Sequence, residues 1–372
     1  MGASESVTRG RELIVEKPMT AALVFIGVVL LLDMLRQLLT GELAISGMLG
    51  LIKDGLMRGL VIGLAGIGLS MTYSILNFAN FAHGDYITAG AFSGWSVTYL
   101  IAGGFGAEAN IGSLALVGAG GSVFGGALGV NIVNTPFAVL AGLIVAGSLT
   151  IGLALFIDRF MFKPIRDAGG IPLLITSIGV AFALRYLILF VFDSSTRGTT
   201  DAGTVPDIRP LVLDGTVPLT LHDGFLVIVA GGLMLGVHFL LQRTKLGKAM
   251  RAMSDDESLA RITGIPTERV IRSTWIIGGG LTGIAGYMFV LWKGTLSWND
   301  GWLLLLLIFA AVILGGIGSV YGAILGGLVI GLTASTAVIW IPSGFARAAA
   351  FVVMILVLVA RPQGLFSGRS TA

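Results

Sequence analysis

The sequence predicts an all-α integral membrane protein of about ten transmembrane helices, with broken or re-entrant Gly-rich elements and an inverted internal repeat. Three observations carry this. Hydrophobic residues make up 55% of the 372-residue chain and charged residues only 12%. A soluble domain carries about 25% charged residues, so this chain cannot cover itself with a water-compatible surface. Glycine accounts for 56 residues against 10 prolines, and the glycines lie among Leu, Ile, Val and Ala. That excludes collagen and a Gly/Ser linker, and points to membrane helices that pack closely or are broken. Finally, the basic residues gather in a few loops, which orients the spans.

Taken in order, residues 1–18 form a polar segment with Arg9, Arg11 and Lys17, expected on the cytoplasmic side. Residues 19–40 read as an additional N-terminal membrane helix. Further spans are expected at 56–76, 85–105, 136–157, 171–192, 224–242, 274–293, 302–318, 322–341 and 345–361. The Gly-rich stretch 111–133 is weak as a span and reads as a re-entrant or broken element. Two loops should be cytoplasmic: 158–170, with Arg159, Lys163 and Arg166, and 243–272, with Arg243, Lys245, Lys248, Arg251, Arg261, Arg269 and Arg272. The loop 193–223 sets Asp193, Asp201, Asp207, Asp214 and Asp223 against Arg197 and Arg209, and should lie outside. Ten spans then place the N-terminus and the tail 367–372 inside.

The repeat rests on two stretches. Gly118-Ala-Gly-Gly-Ser-Val-Phe-Gly-Gly-Ala-Leu-Gly129 matches Gly315-Gly-Ile-Gly-Ser-Val-Tyr-Gly-Ala-Ile-Leu-Gly326 at seven of twelve positions. The helices that follow them run in opposite directions in this topology, a common transporter plan. Gly315, Gly316, Gly318, Gly322 and Gly326 are assigned to helix packing. GxxxG pairs also occur at Gly59/Gly63, Gly90/Gly94, Gly125/Gly129, Gly322/Gly326 and Gly327/Gly331.

The segment Tyr73-Ser-Ile-Leu-Asn77-Phe-Ala-Asn80-Phe-Ala-His83-Gly84-Asp85 places two amides, an imidazole and a carboxylate between apolar spans. If helical, Asn77, Asn80 and Gly84 share a face. Polar groups at membrane depth need partners, so one reading is a broken helix lining a translocation path. The other is a tight cytoplasmic turn in which Asn and His cap helix ends. Thr176, Ser177 and Gly179 suit either close packing or a small-solute pathway. Arg185 should snorkel outward or pair within the bundle. Tyr73, Asn77, Asn80, His83, Thr176 and Ser177 are the candidate pathway residues.

In the basic loop, Ser254 can cap a helix over about 255–263 whose first turn carries Asp255, Asp256 and Glu257, favourable at the positive end of the dipole. Gly264 can end it, with Pro266 beyond. The helix would display Leu259, Ala260 and Ile262, and it is too short to stand alone in water. Lipid headgroups or another protein could supply the support.

There is no cysteine, and His83, His222 and His238 form no metal-ligand pattern. No phosphate-binding loop is present, and Gly247-Lys248 lacks its following Ser/Thr. No catalytic set, metal site or intramembrane acid pair stands out. The net charge of +3 bears on orientation rather than on nucleic acid.

Three motifs in order then resemble one family. Asn80-Phe-Ala-His-Gly84 is similar to an N-F-A-H-G segment. Gly247-Lys-Ala-Met-Arg251-Ala, with Asp255, Ala260, Gly264 and Ile265, is similar to a G-x-A-x-R-A…D…A…G-I loop. Leu314-Gly-Gly-Ile-Gly-Ser-Val-Tyr-Gly-Ala323 is similar to an L-G-G-I-G-S/T-x-x-G-A/P stretch. The chain thus resembles, over about 50–366, the membrane permease subunit of ABC importers for branched-chain (hydrophobic) amino acids. The resemblance implies alternating-access import driven by ATP, with a second permease subunit, identical or not, two cytoplasmic ATPase subunits and an external substrate-binding protein. ATP and Mg would sit on the ATPase subunits and no cofactor on this chain, in a prokaryotic inner or plasma membrane. It makes Arg251, Asp255, Asp256, Glu257, Ala260, Gly264 and Ile265 the coupling residues. The same motifs fit importers of urea or short amides. A self-contained ion-coupled carrier is the alternative of another class. The span 19–40, the 106–133 insertion, the length of 193–223 and the charge at Arg185 depart from the family pattern.

Overall fold

A computed structural model describes residues 18–103, 129–200 and 205–365. The expectations for residues 1–17, for most of 111–133, for nearly all of the first repeat copy and for the tail 367–372 lie outside the described residues.

Twelve α-helices are seen among the described residues. They are α1 (Pro18–Thr40), α2 (Ile45–Leu76), α3 (His83–Ala102), α4 (Pro136–Ile157), α5 (Gly170–Phe192) and α6 (Leu221–Arg243), then α7 (Lys245–Asp255), α8 (Glu257–Ile262), α9 (Thr267–Lys293), α10 (Asp300–Gly315), α11 (Val320–Thr336) and α12 (Ala346–Ala360). Each of the ten expected spans corresponds to one of them, with α7 and α8 as the short pair between spans. Seven helices among the described residues are long and apolar enough to cross a membrane. α10, with 16 residues, reaches only about 24 Å at the helical rise. α2 starts eleven residues earlier than expected, and its 32 residues make it the longest. α9 likewise begins at Thr267 rather than 274.

Local chemistry sets many of the ends. Pro136 opens α4 at its first turn, where its missing N–H costs nothing. Thr220 and Asp223 form a reciprocal capping box on α6. The Ser319 hydroxyl accepts the Gly322 N–H at 3.0 Å to start α11. After α4 the chain winds through a π turn (Asp158–Phe162) and a 3₁₀ turn (Lys163–Ala168) before α5.

Six two-residue strands lie at the opposite end of the bundle from α7 and α8. β1 (Arg197–Gly198) pairs with β6 (Thr295–Leu296), β2 (Asp207–Ile208) with β5 (Leu219–Thr220), and β3 (Leu211–Val212) with β4 (Gly215–Thr216), all antiparallel. Between β3 and β4, the Asp214 carboxylate accepts the backbone N–H groups of Ile45 and Ser46, capping α2 from 168 residues away.

The bundle centres on α2 and α9, which are largely buried, while α5, α6 and α12 expose most of their apolar surface. Glycine makes the centre possible. A β-carbon at Gly59 would lie 2.8 Å from the Leu328 Cα, and one at Gly327 would lie 2.6 Å from the Gly63 nitrogen. The two GxxxG pairs Gly59/Gly63 and Gly327/Gly331 therefore form one seam between α2 and α11. α2 meets α9 where a β-carbon at Gly68 would be 2.7 Å from the Gly278 carbonyl. α10 meets α11 through Gly315 against Gly322 and Gly326 against Ala311. Gly316 and Gly318 behave differently from the packing role expected of them. Their φ values of 105° and 84° turn the chain between α10 and α11.

Candidate functional site

The segment joining α2 to α3 is neither a continuous helix nor a turn at one level. Asn77 ends α2 in the left-handed conformation, φ 52°, with its N–H on the Tyr73 carbonyl at 2.9 Å. Residues 77–82 are then non-helical, so Asn77, Asn80 and Gly84 do not share a helix face as a helical reading requires. The His83 ring begins α3 and reaches the Ala65 carbonyl at 2.9 Å. Ala65 lies eleven residues above the end of α2, about three helical turns. The connecting segment therefore climbs alongside α2 before α3 starts within the bundle.

Side chains from other elements hold this climbing segment. The Ser177 hydroxyl on α5 accepts the Phe81 N–H at 3.0 Å and donates to the Leu174 carbonyl at 2.7 Å. The buried Asn80 accepts the Ala82 N–H at 3.1 Å through Oδ1. Phe78 packs on Phe162, which stacks on Trp275 of α9. Asn80, His83 and Ser177 are thus brought together around one strand of backbone. Tyr73 and Thr176 are half-buried beside it, and Asn77 is exposed.

In the first turn of α3 sits Asp85, fully buried, with Arg185 of α5 gripping it from the side. Arg185 Nε lies 3.1 Å from Oδ1 and Nη2 lies 3.0 Å from Oδ2. The same guanidinium covers the Trp302 ring of α10 at 4.2 Å, a favourable cation–π geometry. Gly84 lets α10 close in: a β-carbon there would be 2.9 Å from the Gly301 carbonyl. Arg185 therefore pairs inside the bundle and does not snorkel. Its partner is 100 residues away and carried no local signal except the rarity of two charges in apolar spans.

At the basic end, the observed helices correct the expected single helix over 255–263. Ser254 belongs to the last turn of α7, and its hydroxyl lies 2.6 Å from that of Ser74 on α2. Asp256 is the cap of α8, its Oδ1 accepting the Leu259 N–H at 2.9 Å. With Asp256 in the cap, Asp255 closes α7 and only Glu257 enters the first turn of α8, where it pairs with Arg261 at 2.8 Å. The hydrogen bonds from Ser258 and the Leu259 N–H hold the Asp256 carboxyl below the usual carboxylate range. Gly264, at φ 85°, ends α8, and the Ile265 N–H returns to the Ala260 carbonyl at 3.0 Å, a Schellman closure.

Ala260 is buried against the bundle rather than displayed, because α8 turns that face inward. Leu259 and Ile262 remain 58% and 82% exposed. Ile265 packs against the core and Arg251 is half-buried on α7. Beside them, Arg166 bridges Asp158 at 2.7 Å and Glu268 at 2.9 Å, and Lys163 joins Glu268 at 2.7 Å. This network ties the α4–α5 connection to the start of α9.

Residues 51–360 match the family described as the branched-chain amino acid transport system / permease component. The chain is 26% identical over 317 residues to the high-affinity branched-chain amino acid transport system permease protein LivH of Salmonella typhimurium, covering 84% of this chain and 93% of that protein. It is 27% identical over 319 residues to the corresponding protein BraD of Pseudomonas aeruginosa, with coverage of 84% and 93%. It is 28% identical over 313 residues to a probable branched-chain amino acid transport permease protein of Methanocaldococcus jannaschii, covering 81% and 87%.

Proposed function

The chain belongs to the permease-component family of branched-chain amino acid transport systems, and from that membership we propose how it works and what it carries. It is a multi-pass membrane permease of an ABC importer. Its cargo is a branched-chain or other small hydrophobic amino acid, moved into the cell by alternating access. The end bearing α7 and α8 faces the cytoplasm with both termini, and the strand-bearing end faces outside. Its partners are a second permease subunit, two ATPase subunits that hold ATP and Mg, and an external binding protein. The chain itself holds no cofactor.

One observation carries this reading. α8 is six residues long and exposes Leu259 and Ile262. A helix this short is not stable on its own, and an ATPase subunit docked on it would cover its apolar side. Its neighbour α7 is tied through Ser254 to Ser74, one turn before the climbing segment begins. A push on α8 is thereby delivered to the backbone around Asn80 and His83. The ion-coupled alternative needs a carboxylate free to load its ion, and Asp85 is already held by Arg185.

The test is reconstitution with the ATPase subunits. Leu259→Asp and Ile262→Asp should each release those subunits and abolish leucine uptake while the permease remains folded in detergent. Retained ATPase association and normal uptake in both variants would refute the coupling role.

A further inference from the structure

The strand-bearing end holds a cavity of about 600 Å³ that none of the pathway or coupling residues lines. Its size is within the range of small-molecule sites, about 300–1,000 Å³. α2, α6, α9, α10 and the start of α12 converge on it. One wall is apolar, formed by Phe289, Leu303, Leu304 and Leu307.

The charges around it do not cancel evenly. Lys53 lies 3.3 Å from Asp54 and 3.5 Å from Asp223, and Lys293 lies 2.7 Å from Asp300. Trp292 donates a further hydrogen bond to Asp223 at 3.0 Å. Both lysines are therefore matched by carboxylates. Arg58 and Arg347 also line the cavity, and neither makes an ion pair among the described residues. Asp223 caps α6, and Asp300 accepts the Ser297 N–H at the start of α10. α12 continues directly from a 3₁₀ turn (Ser343–Phe345), whose Ser343 carbonyl already accepts the Ala346 N–H. Two guanidinium groups with no ion pair among the described residues thus border a space with an apolar wall, an arrangement that favours an anion. Asp54 stands one turn from Arg58 on the same face of α2.

We propose that this cavity receives a free α-amino acid, its carboxylate held by Arg58 and Arg347, its ammonium by Asp54 while Lys53 keeps its second carboxylate partner, Asp223, and its apolar side chain by the leucine wall. The assignment rests on the import reading above and gives the cargo a place on the permease. A carboxylate alone would satisfy the arginines. A zwitterion with an apolar side chain engages the arginines, Asp54 and the wall together, with Lys53 left on Asp223.

The experiment uses the complete transporter in nanodiscs, trapped with vanadate and labelled with the diazirine amino acid photo-leucine. Labelling should map to the peptides carrying Phe289 and Leu303–Leu307. Leucine should compete, and isopentylamine, which lacks the carboxylate, should not. Arg58→Gln and Arg347→Gln should each cut labelling about tenfold, as expected for loss of a charge-assisted hydrogen bond to a carboxylate. Arg58→Lys should recover part of it, and size-exclusion profiles should show each complex assembled. Equal competition by isopentylamine, or unchanged labelling in both glutamine variants, overturns the site. So does wild-type leucine uptake with no label in the cavity, and in that case the importer reading stands. A wild-type complex that takes up no amino acid overturns the functional reading and the site together.

Discussion

Arg185 and Asp85 meet in a two-pronged ion pair inside the bundle, with both guanidinium–carboxylate distances between 3.0 and 3.1 Å. The pair joins α5 to the first turn of α3, and Trp302 brings α10 to the same point. Breaking such a pair is costly because it strands the other charge. Asp85→Ala should destabilise the permease by about 3–5 kcal/mol, the usual penalty for removing one partner of a buried pair. The double variant Asp85→Leu/Arg185→Met should recover most of that loss. Thermal unfolding of the purified permease checks both, and a single variant as stable as wild type would show that the pair is not buried in the membrane.

The seam between α2 and α11 makes a second prediction. Gly59→Leu places a side chain where only 2.8 Å separates a β-carbon from the Leu328 backbone. Overpacking of this kind costs about 1–3 kcal/mol or more, so the variant should assemble poorly. Gly179→Ala, where nothing lies within 4 Å, should be neutral. Equal thermal stability of the two variants would contradict the seam.

The climbing segment depends on Ser177. Ser177→Ala leaves the part-buried Phe81 N–H without its acceptor, a loss of about 0.5–1.5 kcal/mol. Uptake should fall while complex assembly persists, and Ser177→Thr should retain more activity than alanine. Identical uptake in the alanine variant would separate this contact from transport.

At the strand-bearing end, the backbone N–H groups of Ser46 and Ile45 hold the Asp214 carboxyl below its ordinary value. A depressed folded pKa means the cap is fully present above the unfolded value and is lost as pH falls through the folded one. Amide exchange at Ile45 and Ser46, corrected for intrinsic rate, should therefore accelerate in strongly acidic buffer and stay slow near neutrality. Asp214→Asn should show little such dependence. Fast exchange at neutral pH in the wild type would disprove the cap.

Helix positions were largely legible because runs of apolar residues near 20 long report the bilayer directly. Gly264 was legible as a stop because its left-handed φ suits glycine. The cap of α8 was not, because Ser254 and Asp256 are both good caps. The choice between them was made by Ser74, a residue of another helix. The Asp85–Arg185 pair and the Arg58–Arg347 cavity depend on contacts 100 and 289 residues apart. The climb of 77–82 beside α2 had no local signature either, since Asn and His suit turns and broken helices alike.

The glycine seam has a mechanical consequence. Where two helices touch backbone to backbone, no rotamers remain to absorb a small displacement, and α2 with α11 must travel as one stiff plank. α5 is fastened to its neighbours differently, through the Arg185 and Ser177 side chains. A transport stroke entering at Ser74 would move the glycine plank as one body against peripheral α5, held by Arg185 and Ser177.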